Sequence, residues 1–133
     1  MDFTFSNIYS LLMDILPKQE NIIKFLKSDH SGPVDMVNVL RFKPNKRSEY
    51  EKYVKAIAGF MKDFEMEIIY SGDVFSTILG EDEFFHHVAI MRYPSKEKFI
   101  EFSSSEKWRA IEHHRTEGLE SQWLLATKES SIV

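Results

Sequence analysis

Val34-Asp35-Met36-Val37-Asn38-Val39-Leu40-Arg41-Phe42 is a short apolar run, rich in β-branched residues, with Gly32-Pro33 before it and Pro44 after it. Such a run predicts a strand. Alternate residues of a strand face opposite ways, so Met36, Asn38, Leu40 and Phe42 share one side while Val37, Val39 and Arg41 share the other. Both sides are mainly apolar, so both need cover. Helices can supply one cover, and a second sheet the other.

The sequence beyond this strand supplies the helices. Ser48-x-x-Glu51 has the form of a capping box, and Tyr50, Tyr53, Val54, Ile57, Phe60, Met61 and Phe64 behind it fall on one helical face. Met66 to Ser71 reads as a strand, Gly72-Asp73 as a bend, and Val74 to Leu79 as its continuation up to a turn at Gly80 to Glu83. Phe84 to Tyr93 returns as a third strand. Pro94-Ser95 starts a helix over Lys96 to Phe102, and Ser105 caps a second piece bearing Trp108, Ile111, Arg115 and Leu119. Gln122 to Thr127 is the last strand. The order β-α-β-β-α-β defines an α+β, ferredoxin-like βαββαβ sandwich. Its bare sheet face calls for a symmetric homodimer, which makes a dimeric α/β barrel.

Upstream, Ile8, Leu11, Leu12, Ile15 and Leu16 predict a short helix, and Ile22, Ile23, Phe25 and Leu26 a second one after Pro17. Ser28 to Pro33 breaks this pattern. Residues 1–33 are therefore expected to form an N-terminal helical extension, residues 34–128 the barrel domain, and residues 129–133 a frayed tail.

Composition narrows the function. The 133 residues include no cysteine, which removes disulfides, thiolate nucleophiles and iron–sulfur ligation and makes the cytoplasm the default location. A net charge of −4 with dispersed basic residues gives no footprint for nucleic acid, and no stretch approaches a membrane span. Eleven phenylalanines, five tyrosines and two tryptophans are enough for a core and an aromatic pocket or interface. Phosphate-binding glycine loops and a G-x-S-x-G elbow are missing.

The polar residues on these elements are the candidates for chemistry. Asn38 shares the apolar side of strand one, where its amide either orients a ligand or satisfies neighbouring backbone. Arg41 lies near that strand's end on the other side. On strand three His87 and Tyr93 share one side while His86 and Arg92 share the other, and Arg92 beside Tyr93-Pro94 has the chemistry of an anion clamp. His113-His114-Arg115 gathers basic groups at a helix C-terminus. Neighbouring histidines diverge on strand and helix alike, so no protein-only metal site is expected. No cofactor is predicted, although a single axial histidine leaves haem open.

V-N-V-L-R-F-K in strand one, Y-S-G before the bend, M-R-Y-P-S-K-E-K-F and E-H-H-R-T-E-G-L-E follow one another in an order that resembles a family without assigned function in the dimeric α/β-barrel superfamily. The likeness spans about residues 33–128. Phe85-His86 and Ser121-Gln122-Trp123 depart from it, where relatives carry Trp-Asp and Asp-Ser-Arg pairs and runs. The resemblance implies a barrel built from two protomers, and members of the superfamily include cofactor-independent monooxygenases, haem-degrading oxygenases, isomerases, cyclases and ligand binders. His114, Arg115 and Thr116 match its His-Arg-Thr pattern.

The combined expectation is a small-molecule protein that binds or transforms a compact aromatic or carbonyl-containing compound between sheet and helices. His114 and Asn38 are the expected catalytic pair, with His114 facing a pocket near Asn38. Arg115 is expected at the pocket rim, and Arg92, Arg41, His87 and Tyr93 are further substrate contacts. The rival readings are a non-enzymatic dimeric structural or ligand-binding module, and a monooxygenase or haem-degrading oxygenase.

Overall fold

The computed structural model describes residues 15–132. Its elements are α1 (Gln19–Lys27), β1 (Val34–Phe42), α2 (Arg47–Ala58), a 3-10 turn (Met61–Phe64), β2 (Glu67–Asp73), β3 (His87–Tyr93), α3 (Lys96–Ser103), α4 (Glu106–Gly118) and β4 (Leu119–Thr127). The expected helix from Ile8 to Leu16 lies largely outside the described residues; Ile15 and Leu16 are not helical. None of the described helices is long and apolar enough to cross a membrane.

The sheet order is β2-β3-β1-β4, with every pair antiparallel. This is the ferredoxin-like arrangement. Met36, Leu40 and Phe42 meet the helices in a core shared with Tyr50, Tyr53, Ile57, Phe64, Tyr93, Phe102 and Leu119. Opposite them, Val39 pairs with Val88 and Trp123, and Val37 with Ile90 and Leu125. Residues paired across strands share a face, so these side chains form an apolar sheet face that no described helix covers.

Several boundaries differ from the sequence expectation. Ser48 lies inside α2, which begins at Arg47 without a side-chain cap. Asn45, at φ 62°, turns the chain so that the cap position is Lys46, two residues earlier than the capping-box pattern implies. β2 ends at Asp73, opposite the first residue of β3, His87. One more backbone bond follows, from the Val74 N–H to the His86 carbonyl at 2.9 Å, and Phe75 then stands 99% exposed. Phe84 to His86 are likewise not strand, although the His86 N–H donates to the Leu40 carbonyl at 2.8 Å. β4 starts at Leu119, directly after α4 and before the expected Gln122. The caps at Ser95 and Ser105 do form, their hydroxyls accepting from the backbone N–H groups of Lys98 at 3.1 Å and Trp108 at 3.2 Å.

His86 closes the loop back onto β1. Its Nδ1 accepts from the Phe42 backbone N–H at 3.0 Å, which requires the neutral imidazole. Burial first, and then the nearby Arg41, hold its pKa below the usual 6.5. This stability contribution is complete above pH 6.5 and declines as pH falls through the lowered folded value. NMR should find Nδ1 unprotonated at pH 7, and His86→Ala should cost about 1 kcal/mol in urea unfolding. A protonated Nδ1 at neutral pH would exclude this role.

Candidate functional site

Between the helix-facing side of the sheet, α3, α4 and the segment carrying α1 lies a cavity of about 820 Å³. Its walls are apolar and aromatic, including Met36, Phe25, Phe99, Phe102 and Trp108. Three of its polar residues, Arg115, Gln122 and Asn38, are joined to one another. Arg115 is 7% exposed, and its guanidinium donates through Nη2 to Glu112 Oε1 at 2.7 Å. Its Nη1 donates to Gln122 Oε1 and to the Ile15 carbonyl, each at 2.8 Å. Gln122 Nε2 in turn donates to Asn38 Oδ1 at 2.8 Å. The Asn38 amide ends the string with long contacts, at 3.4 Å, to the carbonyls of Met36 and Ala89.

Register and helix geometry explain why these groups meet. Gln122 pairs with Leu40 and Leu124 with Asn38, so Gln122 and Asn38 lie one step apart on the same sheet face. Arg115 shares the inward side of α4 with Trp108 and Ile111, which pack against the core. Tyr53 lines the cavity as well, and its hydroxyl accepts from Trp108 Nε1 at 2.8 Å. Burial raises the Tyr53 pKa, so the phenol keeps its proton.

Asn38, Arg115 and Tyr93 are thus brought to the cavity, whereas the other candidates are not. His114 does not face a pocket near Asn38. One helical residue turns it about 100° from Arg115, onto α2, where Nδ1 pairs with Glu49 at 3.2 Å. Arg115 lines the cavity as a buried residue, 7% exposed. Arg41 is held on the opposite sheet face by Glu120 at 2.7 Å and by the carbonyls of Glu83 and Phe84. Arg92 makes a two-pronged pair with Asp35, at 2.7 and 3.0 Å, beside a second, smaller cavity of about 240 Å³. That pairing holds the Asp35 carboxyl below the usual carboxylate range.

His87 has a different setting. Its Nδ1 contacts Asp73 at 2.8 Å and its Nε2 contacts the Ser71 hydroxyl at 3.2 Å, the order of a hydrolytic triad. Asp73 is shared with Arg47 at 3.0 Å and largely exposed, and the group borders neither cavity. No dry site for an acyl group is present there, and the residues read as a surface network. Glu49, His114 and Glu117 bring three ligand atoms within 4.8 Å of one another, a grouping across two helices that spacing along the chain does not reveal. Lys52, at 2.8 Å from Glu49, and then His114 hold that carboxyl down at about 2. The lysine ammonium supplies the positive charge beside Glu49.

Gln122, Glu112 and Tyr53 were not among the residues singled out by sequence. The parity of β4 places Gln122 with Leu124 and Ala126, but the signal became usable only once its pairing with β1 was known.

A family model described as a domain of unknown function, DUF1330, matches residues 38–128, from Asn38 through β4. The chain belongs to the DUF1330 family. No curated protein matches it. A crystal structure of a Rhodopseudomonas palustris protein of unknown function is similar at 22% identity and TM-score 0.80, over 90% of this chain and 98% of that one. The hydroxynitrile lyase of Passiflora edulis is similar at 15% identity and TM-score 0.60, over 76% of this chain and 96% of that one. A Thermobifida fusca protein described as dimeric and ferredoxin-like matches at 10% identity and TM-score 0.56, over 77% and 96% of the two chains. These likenesses concern the fold. They set this DUF1330 chain among ferredoxin-like proteins that include dimers.

Proposed function

We propose that the chain is a homodimeric small-molecule-binding protein whose cavity takes a compact organic compound with an aromatic or carbonyl-containing body. One observation carries this reading. A cavity of about 820 Å³ with mainly apolar and aromatic lining holds Arg115, Gln122 and Asn38, bonded to one another in a single string that Glu112 extends behind Arg115. Cavities of about 300–1,000 Å³ with few, convergent polar groups are the usual form of small-molecule sites.

Binding is favoured over histidine acid–base catalysis. His30, His86, His87, His113 and His114 are all the histidines of the chain, and none lines the cavity. Haem held by an axial histidine lacks its ligand there for the same reason. A cofactor-independent enzyme is the second reading, carried by Tyr53. Its protonated hydroxyl already accepts from Trp108 and has a proton to donate to a substrate oxygen.

Titration of the ¹⁵N-labelled chain with indole, 2-naphthol and benzaldehyde tests the site. The expected result is saturable shifts of the Trp108 indole N–H and the Asn38 and Gln122 side-chain amides. Shifts spread over the surface, or none with any probe, would remove the reading.

In this proposal residues 1–33 are an appendage, 34–128 the barrel domain and 129–133 a tail. The apolar sheet face bearing Val37, Val39, Val88 and Ile90 receives the same face of a second copy. Light scattering should give twice the chain mass at micromolar concentration, and Val39→Glu should give the monomer with an unchanged circular dichroism spectrum. A monomeric wild type would exclude this assembly.

A further inference from the structure

Arg115 takes one of its oxygen partners from the far end of the described chain. The Ile15 carbonyl stands 2.8 Å from Nη1, across a sequence separation of 100 residues. From Ile15 the chain runs across the cavity, which Leu16, Lys18, Asn21, Ile22 and Phe25 also line. Yet α1 buries none of its residues. Near its C-terminal end it is clamped, by Phe25 edge-on to Phe99 at 5.7 Å and by the Lys96 ammonium on the carbonyls of Leu26 and Ser28. At the other end the Ile15 carbonyl is set on the arginine. A loosely packed segment thus places a neutral oxygen on a buried guanidinium inside an apolar cavity.

The charge around Arg115 says what kind of oxygen this place accepts. Glu112 already offsets the guanidinium at 2.7 Å. The two oxygens on Nη1, from Gln122 and Ile15, are uncharged amide carbonyls. Nε is buried and has no partner among the described residues, so the arginine retains an unused donor. At Arg115 a second carboxylate would stand beside that of Glu112, whereas a neutral carbonyl replaces the Ile15 oxygen like for like; the lysines of the lining, Lys18 and Lys24, belong to the segment that carries Ile15.

We propose that the Ile15 carbonyl occupies the oxygen subsite of the cavity, and that the ligand is a neutral ketone, aldehyde or amide on an apolar body, which displaces it from Arg115. Binding releases the Ile15 end of the segment, while Phe25 and Lys96 hold the other end as a hinge. This rests on the cavity being a ligand site.

The test uses the full chain and three probes with one ring system: 2-acetylnaphthalene, 2-naphthoate and 2-ethylnaphthalene. Affinities come from the Trp108 indole N–H shift, and amide hydrogen exchange follows residues 16–22. The ketone is expected to bind at least about tenfold more tightly than the other two, a difference of about 1.4 kcal/mol, and to speed exchange across 16–22. Tighter binding of the carboxylate or the hydrocarbon would overturn the carbonyl assignment and leave the cavity reading standing. Ketone binding with unchanged or slower exchange would overturn the displacement. If none of the probes binds, the cavity reading falls and this inference with it.

Discussion

Arg115→Ala should lower the stability of the fold by about 3 kcal/mol, because removing one member of a buried ion pair leaves the other without compensation. The side chain is 9% exposed and serves three oxygens at once, on Glu112, Gln122 and Ile15. Truncation leaves Gln122 Oε1 without its donor and Glu112 without its cation. Glu112 is partly exposed and takes up water, which places the cost at the lower end of the range for fully buried pairs. Arg115→Met keeps the stem and still loses all three bonds, so it should recover only the packing share. In the Glu112→Gln background the cost of Arg115→Met should shrink, since the stranded charge is gone. Urea unfolding of the four proteins measures this coupling. A loss below about 1 kcal/mol for Arg115→Ala would mean that the string does not hold the fold together.

Gly118→Ala should cost about 2–3 kcal/mol, the upper part of the usual range for overpacking a tight contact. A β-carbon at this position would lie 2.7 Å from the Tyr50 backbone nitrogen and 3.1 Å from its α-carbon. The atoms in the way belong to helix α2, so no side-chain rotation relieves the clash. The two helices would have to separate, and Tyr50 with its neighbour Tyr53 would move in the core. Gly59→Ala is the control, its nearest contact being the Ala56 carbonyl at 3.3 Å. Thermal and urea unfolding should separate the two variants clearly. Equal, small losses would show that the α2–α4 contact yields readily.

How far such features can be read in advance depends on whether they are local. The doubly apolar pattern of β1 and the serine caps at Ser95 and Ser105 act over a few residues, and each was legible. The capping-box pattern at Ser48 misled because the turn at Asn45 had already begun the helix. Val74 to Leu79 has strand-forming residues, but a strand also needs a partner, and pairing stops after the single bond from Val74 to the His86 carbonyl. His114 was misplaced for a reason helical geometry does contain: once Arg115 turns inward, its neighbour must leave the cavity. Gln122 was hardest, because its importance comes from Asn38, 84 residues away.

The passage from α4 to β4 without an intervening loop has an evolutionary consequence. Arg115, itself bonded to Glu112 on α4, and Gln122 lie on either side of that seam and are bonded across it. Inserting one residue at the seam would turn Gln122 to the opposite sheet face and detach it from both arginine and Asn38. Between β2 and β3 the chain from Val74 to Phe85 carries no such constraint, since the cavity takes none of its lining from there. Changes in length are thus tolerated on one side of the molecule and barred from the other, so descendants of this chain can diversify their β2–β3 connection while inheriting the helix–strand seam residue for residue.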